Sequence, residues 1–179
     1  TRQAILAFTG DVYKGMAAAE LSEDELTFAQ RHVRILSGLY GVLRPLDLIM
    51  PYRLEMGTRL STAGGNNLYE FWSDRIAAVL ADELSEHKTP VVLNLASQEY
   101  FKAVAGRLPG TRVVTPVFKE QRSGGPKVIG IHAKRQRGRM TRYIIDNHID
   151  APEALKEYAL DDYYYSERLS SDTDWVFLR

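Results

Sequence analysis

The chain has 179 residues, 45% of them hydrophobic and 26% charged, enough for one substantial globular domain with a buried core. Its 23 basic and 23 acidic residues balance to a formal net charge of +0, which excludes a binder held by overall charge but permits a local basic cleft. There is no cysteine, which excludes disulfides, cysteine-ligated zinc, iron–sulfur ligation and thiol catalysis within the chain and suits a reducing cytosol.

Gln3 to Tyr13 carries Ile5, Leu6, Phe8 and Val12 and is predicted as a strand, interrupted by Gly10 and broken by Gly15. Ser22-Glu23-Asp24-Glu25 has the form of a capping box. The helix it starts shows Leu26, Ala29, Val33 and Leu36 at core-facing spacing, with Gly38 where a C-terminal glycine cap is expected. From Leu36 to Gly57 the chain reads L-S-G-L-Y-G-V-L-R-P-L-D-L-I-M-P-Y-R-L-E-M-G. Gly38 and Gly41, then Arg44-Pro45, predict a tight turn with exposed backbone N–H groups. It resembles a helix-hairpin-helix, although the spacing is Gly-x-x-Gly rather than Gly-x-Gly. Asn66 or Asn67 is expected to cap the next helix, whose apolar face is Leu68, Trp72, Ile76, Val79, Leu80 and Leu84. Tyr69 and Trp72 could stack on bases, but aromatics at helical spacing are more often core.

Val91 to Leu95 is an apolar run after Pro90 and predicts a strand buried on both faces, parallel to its neighbour. Polar residues follow at its carboxyl end, where open α/β sheets put ligands. Asn94, Ser97, Glu99 and Tyr100, with Lys119, form a possible pocket, although Ser97 also reads as an ordinary helix N-cap. Arg112 to Lys119 and Lys127 to Ala133 are predicted as strands joined by Gln121 to Pro126 in a hairpin. Pro152 is expected at the first position of a last helix. A final strand is expected from Tyr163-Tyr164-Tyr165 and Trp175 to Leu178.

The densest charge lies between Lys127 and Arg142, K-V-I-G-I-H-A-K-R-Q-R-G-R-M-T-R, with no Asp or Glu from Gln121 to Ile145. A helix predicted from about Gln136 would gather Lys134, Arg135, Arg137, Arg139 and Arg142 around its N-terminus. The macrodipole is already positive there, so these cations call for an anionic partner such as phosphate. The plain alternatives are a solvated basic face or arginines paired with the acidic C-terminal stretch, including Asp161 and Asp162. The four histidines, His32, His87, His132 and His148, are scattered without metal-ligand spacing, so no structural metal is expected.

Several blocks resemble the YaaA peroxide-stress-response family of bacteria. They are Leu36 to Gly57, L-Y-E-F-W from Leu68, N-L-A-S-Q-E-Y-F from Asn94, P-V-F from Pro116 and A-K-R-Q-R-G-R-M-T-R-Y-I-I from Ala133. Members of that family usually begin with an apolar strand followed by Ser-Pro-Ala-Lys. This chain starts at Thr1 without that beginning, so a single, N-terminally incomplete domain is expected. The resemblance implies a mixed α/β fold, with a central mixed sheet, flanking helices and a glycine-turn, helix-hairpin-helix-like element. It also implies a basic cleft that binds duplex or branched DNA, and a role in limiting iron-dependent peroxide damage. On that reading Gly38, Gly41, Arg44, Lys134, Arg135, Arg137, Arg139 and Arg142 contact DNA. No cofactor or membrane association is expected, no run reaches transmembrane length, no signal peptide is visible, and the expected location is the cytoplasm. The second hypothesis is an enzyme or nucleotide-binding protein using the Asn94–Lys119 pocket. A third is iron sequestration by hard ligands such as Asp47, Glu55 and Asp74.

Overall fold

The computed structural model describes all residues from Thr1 to Arg179. The strands in chain order are β1 (Arg2–Gln3), β2 (Ile35–Ser37), β3 (Gly41–Leu43), β4 (Leu48–Ile49), β5 (Val91–Leu93), β6 (Arg112–Lys119), β7 (Tyr164–Tyr165) and β8 (Asp174–Leu178). The α-helices are α1 (Ala4–Ala7), α2 (Asp11–Met16), α3 (Glu23–His32), α4 (Leu68–Trp72), α5 (Arg75–Leu84), α6 (Gln98–Phe101) and α7 (Gly130–Asp146). This is a mixed α/β architecture. The chain divides into two units, the first comprising Thr1–Ala7, Gln30–Pro90 and Ala96–Thr111, the second Phe8–Ala29, Val91–Leu95 and Arg112–Arg179.

In the first unit β1 pairs antiparallel with β4, and β2 with β3. The element expected as a helix-hairpin-helix is therefore a β-hairpin. Helix α3 stops at His32, and Leu36, expected as the end of the helical stripe and the start of the hairpin element, instead lies in a strand opposite Val42. The β-branched residues Ile35 and Val42, one on each strand, suit the pleated ladder better than a second helix. Gly41 takes φ +76°, a left-handed conformation open to glycine at little cost. Asn67 caps α4 by accepting from the Glu70 N–H at 3.0 Å, as expected. Ser73, at φ 44°, then splits the single helix expected from Leu68 to Leu84 into α4 and α5.

The second unit is built on a four-stranded sheet in the order β5-β6-β8-β7. Strand β6 runs parallel to β5 and β8, and β7 returns antiparallel along β8. The parallel pairing of β5 agrees with its apolar run. Its burial does not: β5 is an edge strand and half-buried throughout, since only one neighbour covers its ladder. The core gathers Val114, Phe118, Met140, Tyr158, Trp175 and Phe177. Phe118 stacks on Phe177 at 5.5 Å and meets Tyr158 and Tyr163 edge-on. Each such ring, fully buried, contributes about 3 kcal/mol.

Two expected strands are largely helical: of Gln3 to Tyr13 only Gln3 keeps a strand pairing, and Ala4–Ala7 forms α1 in the first unit. Asp11 to Met16 forms α2, with Gly15 inside it rather than breaking a strand. Helix α7 starts at Gly130, absorbing the segment expected as a strand from Lys127, and only one isolated antiparallel bridge, Glu120 to Lys127, remains of the hairpin. The two helices pack directly on each other. Gly15 and Gly138 let α2 and α7 approach to backbone contact: a Cβ on Gly138 would overlap the Val12 carbonyl oxygen, and one on Gly15 the Arg135 carbonyl oxygen. The capping box at Ser22 forms as read, with Glu25 N–H donating to Ser22 Oγ at 3.3 Å and Ser22 N–H to Glu25 Oε2 at 2.7 Å. Pro152 opens a 3-10 helix over Pro152–Glu157.

Candidate nucleic-acid interface

Because α7 begins at Gly130, its cations do not crowd its N-terminus. The first turn holds Gly130, Ile131, His132 and Ala133, and the basic run starts only with Lys134. The inward face carries Ala133, Gln136, Met140 and Ile145. Gln136 is 3% exposed, yet both ends of its amide are used: Tyr158 O–H donates to its Oε1 at 2.6 Å, and its Nε2 donates to Asp161 Oδ2 at 2.5 Å. Burial pushes the Tyr158 hydroxyl well above its usual range, so it is a permanent donor at neutral pH.

The five cations fall into two groups. Arg139 pairs with Asp161 at 2.9 Å. Arg142 pairs with Asp146 at 2.5 Å and Glu20 at 3.6 Å, and also donates to the Ala17 carbonyl at 3.3 Å. For these two the alternative of pairing with acids holds, through Asp161 of the acidic stretch and through Glu20 and Asp146. Lys134 and Arg135 are exposed and make no ion pair, and half-buried Arg137 has no acidic partner and a buried Nε without a hydrogen bond.

Gly38, Gly41 and Arg44 belong to the first unit. Both glycines are buried. Gly38 lies against the Leu54 backbone and its carbonyl accepts from Trp72 Nε1 at 2.9 Å, while Gly41 lies under the Trp72 ring. The close fit of these glycines is thus accounted for by half-buried Trp72, whose ring and Nε1 pack on them. Arg44 is exposed beside Asp47, whose carboxylate accepts the Arg44 backbone N–H at 2.7 Å.

The residues of the possible pocket are split between the units: Asn94 and Lys119 lie in the second, Ser97, Glu99 and Tyr100 in the first. Asn94 Nδ2 donates to Thr115 Oγ1 at 3.3 Å, a cross-strand bond that explains a polar residue after an apolar strand. Ser97 is the N-cap of α6, accepting from the Tyr100 N–H at 3.4 Å. Glu99 accepts the Gly57 N–H at 2.8 Å. Burial raises the Tyr100 hydroxyl, with Tyr52 and two carboxylates adding to it, so it does not serve as a base near neutrality. Lys119 ends β6, and its carbonyl accepts the Arg179 N–H at 3.0 Å.

One cluster escaped the reading of the residues. Glu120 is 4% exposed and gathers four donors: Arg122 on Oε2, and His132 Nδ1 at 2.5 Å, Arg179 Nη2 at 2.7 Å and Tyr163 O–H at 3.0 Å on Oε1. Burial opposes its ionisation. The hydrogen bonds from His132 and Tyr163 and the charge of Arg179 prevail, and hold the carboxyl at about 2. Burial, together with the bond to this carboxylate, pushes Tyr163 up to about 12. The available sequence signal was that Glu120 is the last acid before a long basic stretch.

The family described as Peroxide stress protein YaaA matches residues 1–169. The chain belongs to the YaaA peroxide stress protein family. A UPF0246 protein of Burkholderia mallei (strain SAVP1) is 53% identical over 180 residues, which cover 99% of this chain and 69% of that relative. Another, from Dechloromonas aromatica (strain RCB), is 52% identical over 178 residues, again 99% of this chain and 69% of the relative. In this member of the YaaA family no three His, Asp or Glu side chains converge as metal ligands: Asp47 is engaged by Arg44, and Asp74 pairs with Arg107 at 3.0 Å. No helix is long and apolar enough to cross a membrane.

Proposed function

We propose that this YaaA-family chain acts in the peroxide stress response by binding duplex or branched DNA through the phosphate backbone, with limitation of iron-dependent damage as its purpose. The observation that supports it is the division of charge on α7. Lys134, Arg135 and Arg137 have no acidic partner, so neutralisation by phosphate costs no existing ion pair. Arg139 and Arg142, named with them from the sequence, already spend their charge on Asp161, Asp146 and Glu20 and serve the fold. The iron link draws on family membership alone.

The test uses two double variants on a mixed-sequence duplex, titrated at several salt concentrations. Lys134→Ala with Arg135→Ala is expected to lower affinity and to reduce the salt slope by about 2, one phosphate contact for each cation. Arg139→Ala with Arg142→Ala is expected to keep the slope and to lose about 1 kcal/mol of stability per broken ion pair. A wild-type slope in the first variant would sink the reading.

A further inference from the structure

The Glu120 cluster holds more positive charge than its own carboxylate needs. Two guanidinium groups, Arg122 and Arg179, face one buried carboxylate, and the imidazole of His132 joins them. All three of these side chains remain part-exposed, at 51%, 37% and 45% respectively. Each guanidinium donates a single Nη2 to Glu120, leaving its other N–H groups for a second partner. Since Glu120 is ionised and accepts only, Nδ1 of His132 carries the proton of that bond, and Nε2 faces a ligand as an acceptor in the neutral ring and as a donor in the protonated one. His132 sits in the first turn of α7, which has Ile129 at the N-cap, no side-chain cap and no acid in that turn. The backbone N–H groups there are uncompensated.

One guanidinium balances the charge of one carboxylate, so the second leaves the cluster with a net positive charge. The carboxylate holds three donor groups at fixed separations, with Arg179 Nη2 and His132 Nδ1 3.4 Å apart. Arg179 is further fixed over the Tyr163 ring at 4.9 Å. Such an arrangement suits an oxyanion with several free oxygens and more than one negative charge.

We propose that Arg122, His132 and Arg179, held in position by Glu120, form a binding site for a terminal phosphate group. Two sources share that chemistry: a small phosphomonoester and the phosphorylated end of a DNA strand. A backbone diester fits less well, having one charge and two of its oxygens esterified. The proposal does not rest on the DNA reading. It uses residues other than Lys134, Arg135 and Arg137, and inorganic phosphate tests it without DNA.

The experiment titrates the intact chain with inorganic phosphate, phenyl phosphate and the diester dimethyl phosphate. Binding is followed through the ring signals of the four histidines by NMR and by calorimetry. His132 signals are expected to shift saturably with phosphate and phenyl phosphate, and not with the diester. Arg122→Gln and Arg179→Gln should each weaken phosphate at least about tenfold, as loss of a charged bond does. Both side chains are part-exposed, so the variants are expected to fold. Two duplexes, identical except for a 5′-phosphate or a 5′-hydroxyl, separate the sources. Tighter binding of the phosphorylated duplex assigns the site to DNA ends, and equal binding assigns it to small monoesters. Three results would each overturn the proposal: no saturable His132 shift at about 10 mM phosphate, where even a millimolar site is mostly filled; equal binding of mono- and diester; or wild-type affinity in both arginine variants.

Discussion

Gly138→Ala is expected to destabilise the second unit by about 2–3 kcal/mol, even though alanine is the better helix former by about 1 kcal/mol. The added methyl would overlap the Val12 carbonyl oxygen and crowd the Val12 carbonyl carbon and Met16 nitrogen. These are backbone atoms, so no rotamer change relieves the clash. Helix α2 would have to move off α7, loosening the packing around Met16, which is 3% exposed. Gly130→Ala is the control. Gly130 is in the same helix, and nothing lies within 4 Å of a Cβ added there. It should be neutral or mildly stabilising. Urea unfolding of both variants checks the pair. If Gly138→Ala matched the wild type, close backbone contact would not be what holds α2 on α7.

Glu120→Gln is expected to cost about 2 kcal/mol at neutral pH. Breaking an ion pair whose partners are also buried costs more, but the cations around Glu120 are part-exposed and keep some hydration, so the loss is discounted. The acid profile identifies the cause. The carboxyl of Glu120 is held at about 2 against an ordinary value of 4.5. A depressed acid contributes stability that is fully present above its unfolded value and is lost as pH falls toward the folded one. Wild-type stability should therefore decline between about pH 4.5 and pH 2 from this group, and the variant should lack that component. The gap between the two proteins should be wide at pH 7 and should narrow near pH 2. Denaturation in phosphate-free buffers across that range measures it, and an unchanged gap would show that the ionised carboxylate is not what binds the cluster together.

Local chemistry decided several features that the sequence could show. Ser22 and Glu25 make the capping box, Asn67 and Ser97 cap their helices, Pro152 opens its 3-10 turn, and Arg112 to Lys119 is a strand with the bounds its residues suggest. Each depends on residues within about four positions, where the sequence carries the interaction directly. The family was legible as well: the quoted blocks resemble YaaA members, and the family model matches residues 1–169.

What only the tertiary structure decided depends on contacts between residues far apart in the chain. Gly15 was expected to break a strand, and Gly138 lies inside the basic run. They are where two helix backbones touch, a contact between positions more than a hundred residues apart in the chain. Gly38 and Gly41 looked like a phosphate turn, but Trp72, more than thirty positions away, fills the space beside them. The cations of α7 looked alike. Asp161, Glu20 and Asp146 neutralise two of them and leave Lys134, Arg135 and Arg137 unbalanced. Glu120 drew no notice because its partners, Arg122, His132, Tyr163 and Arg179, spread along the last third of the chain. Charge is written in the sequence, but its compensation is set by the fold, since a Coulomb interaction depends on distance in space.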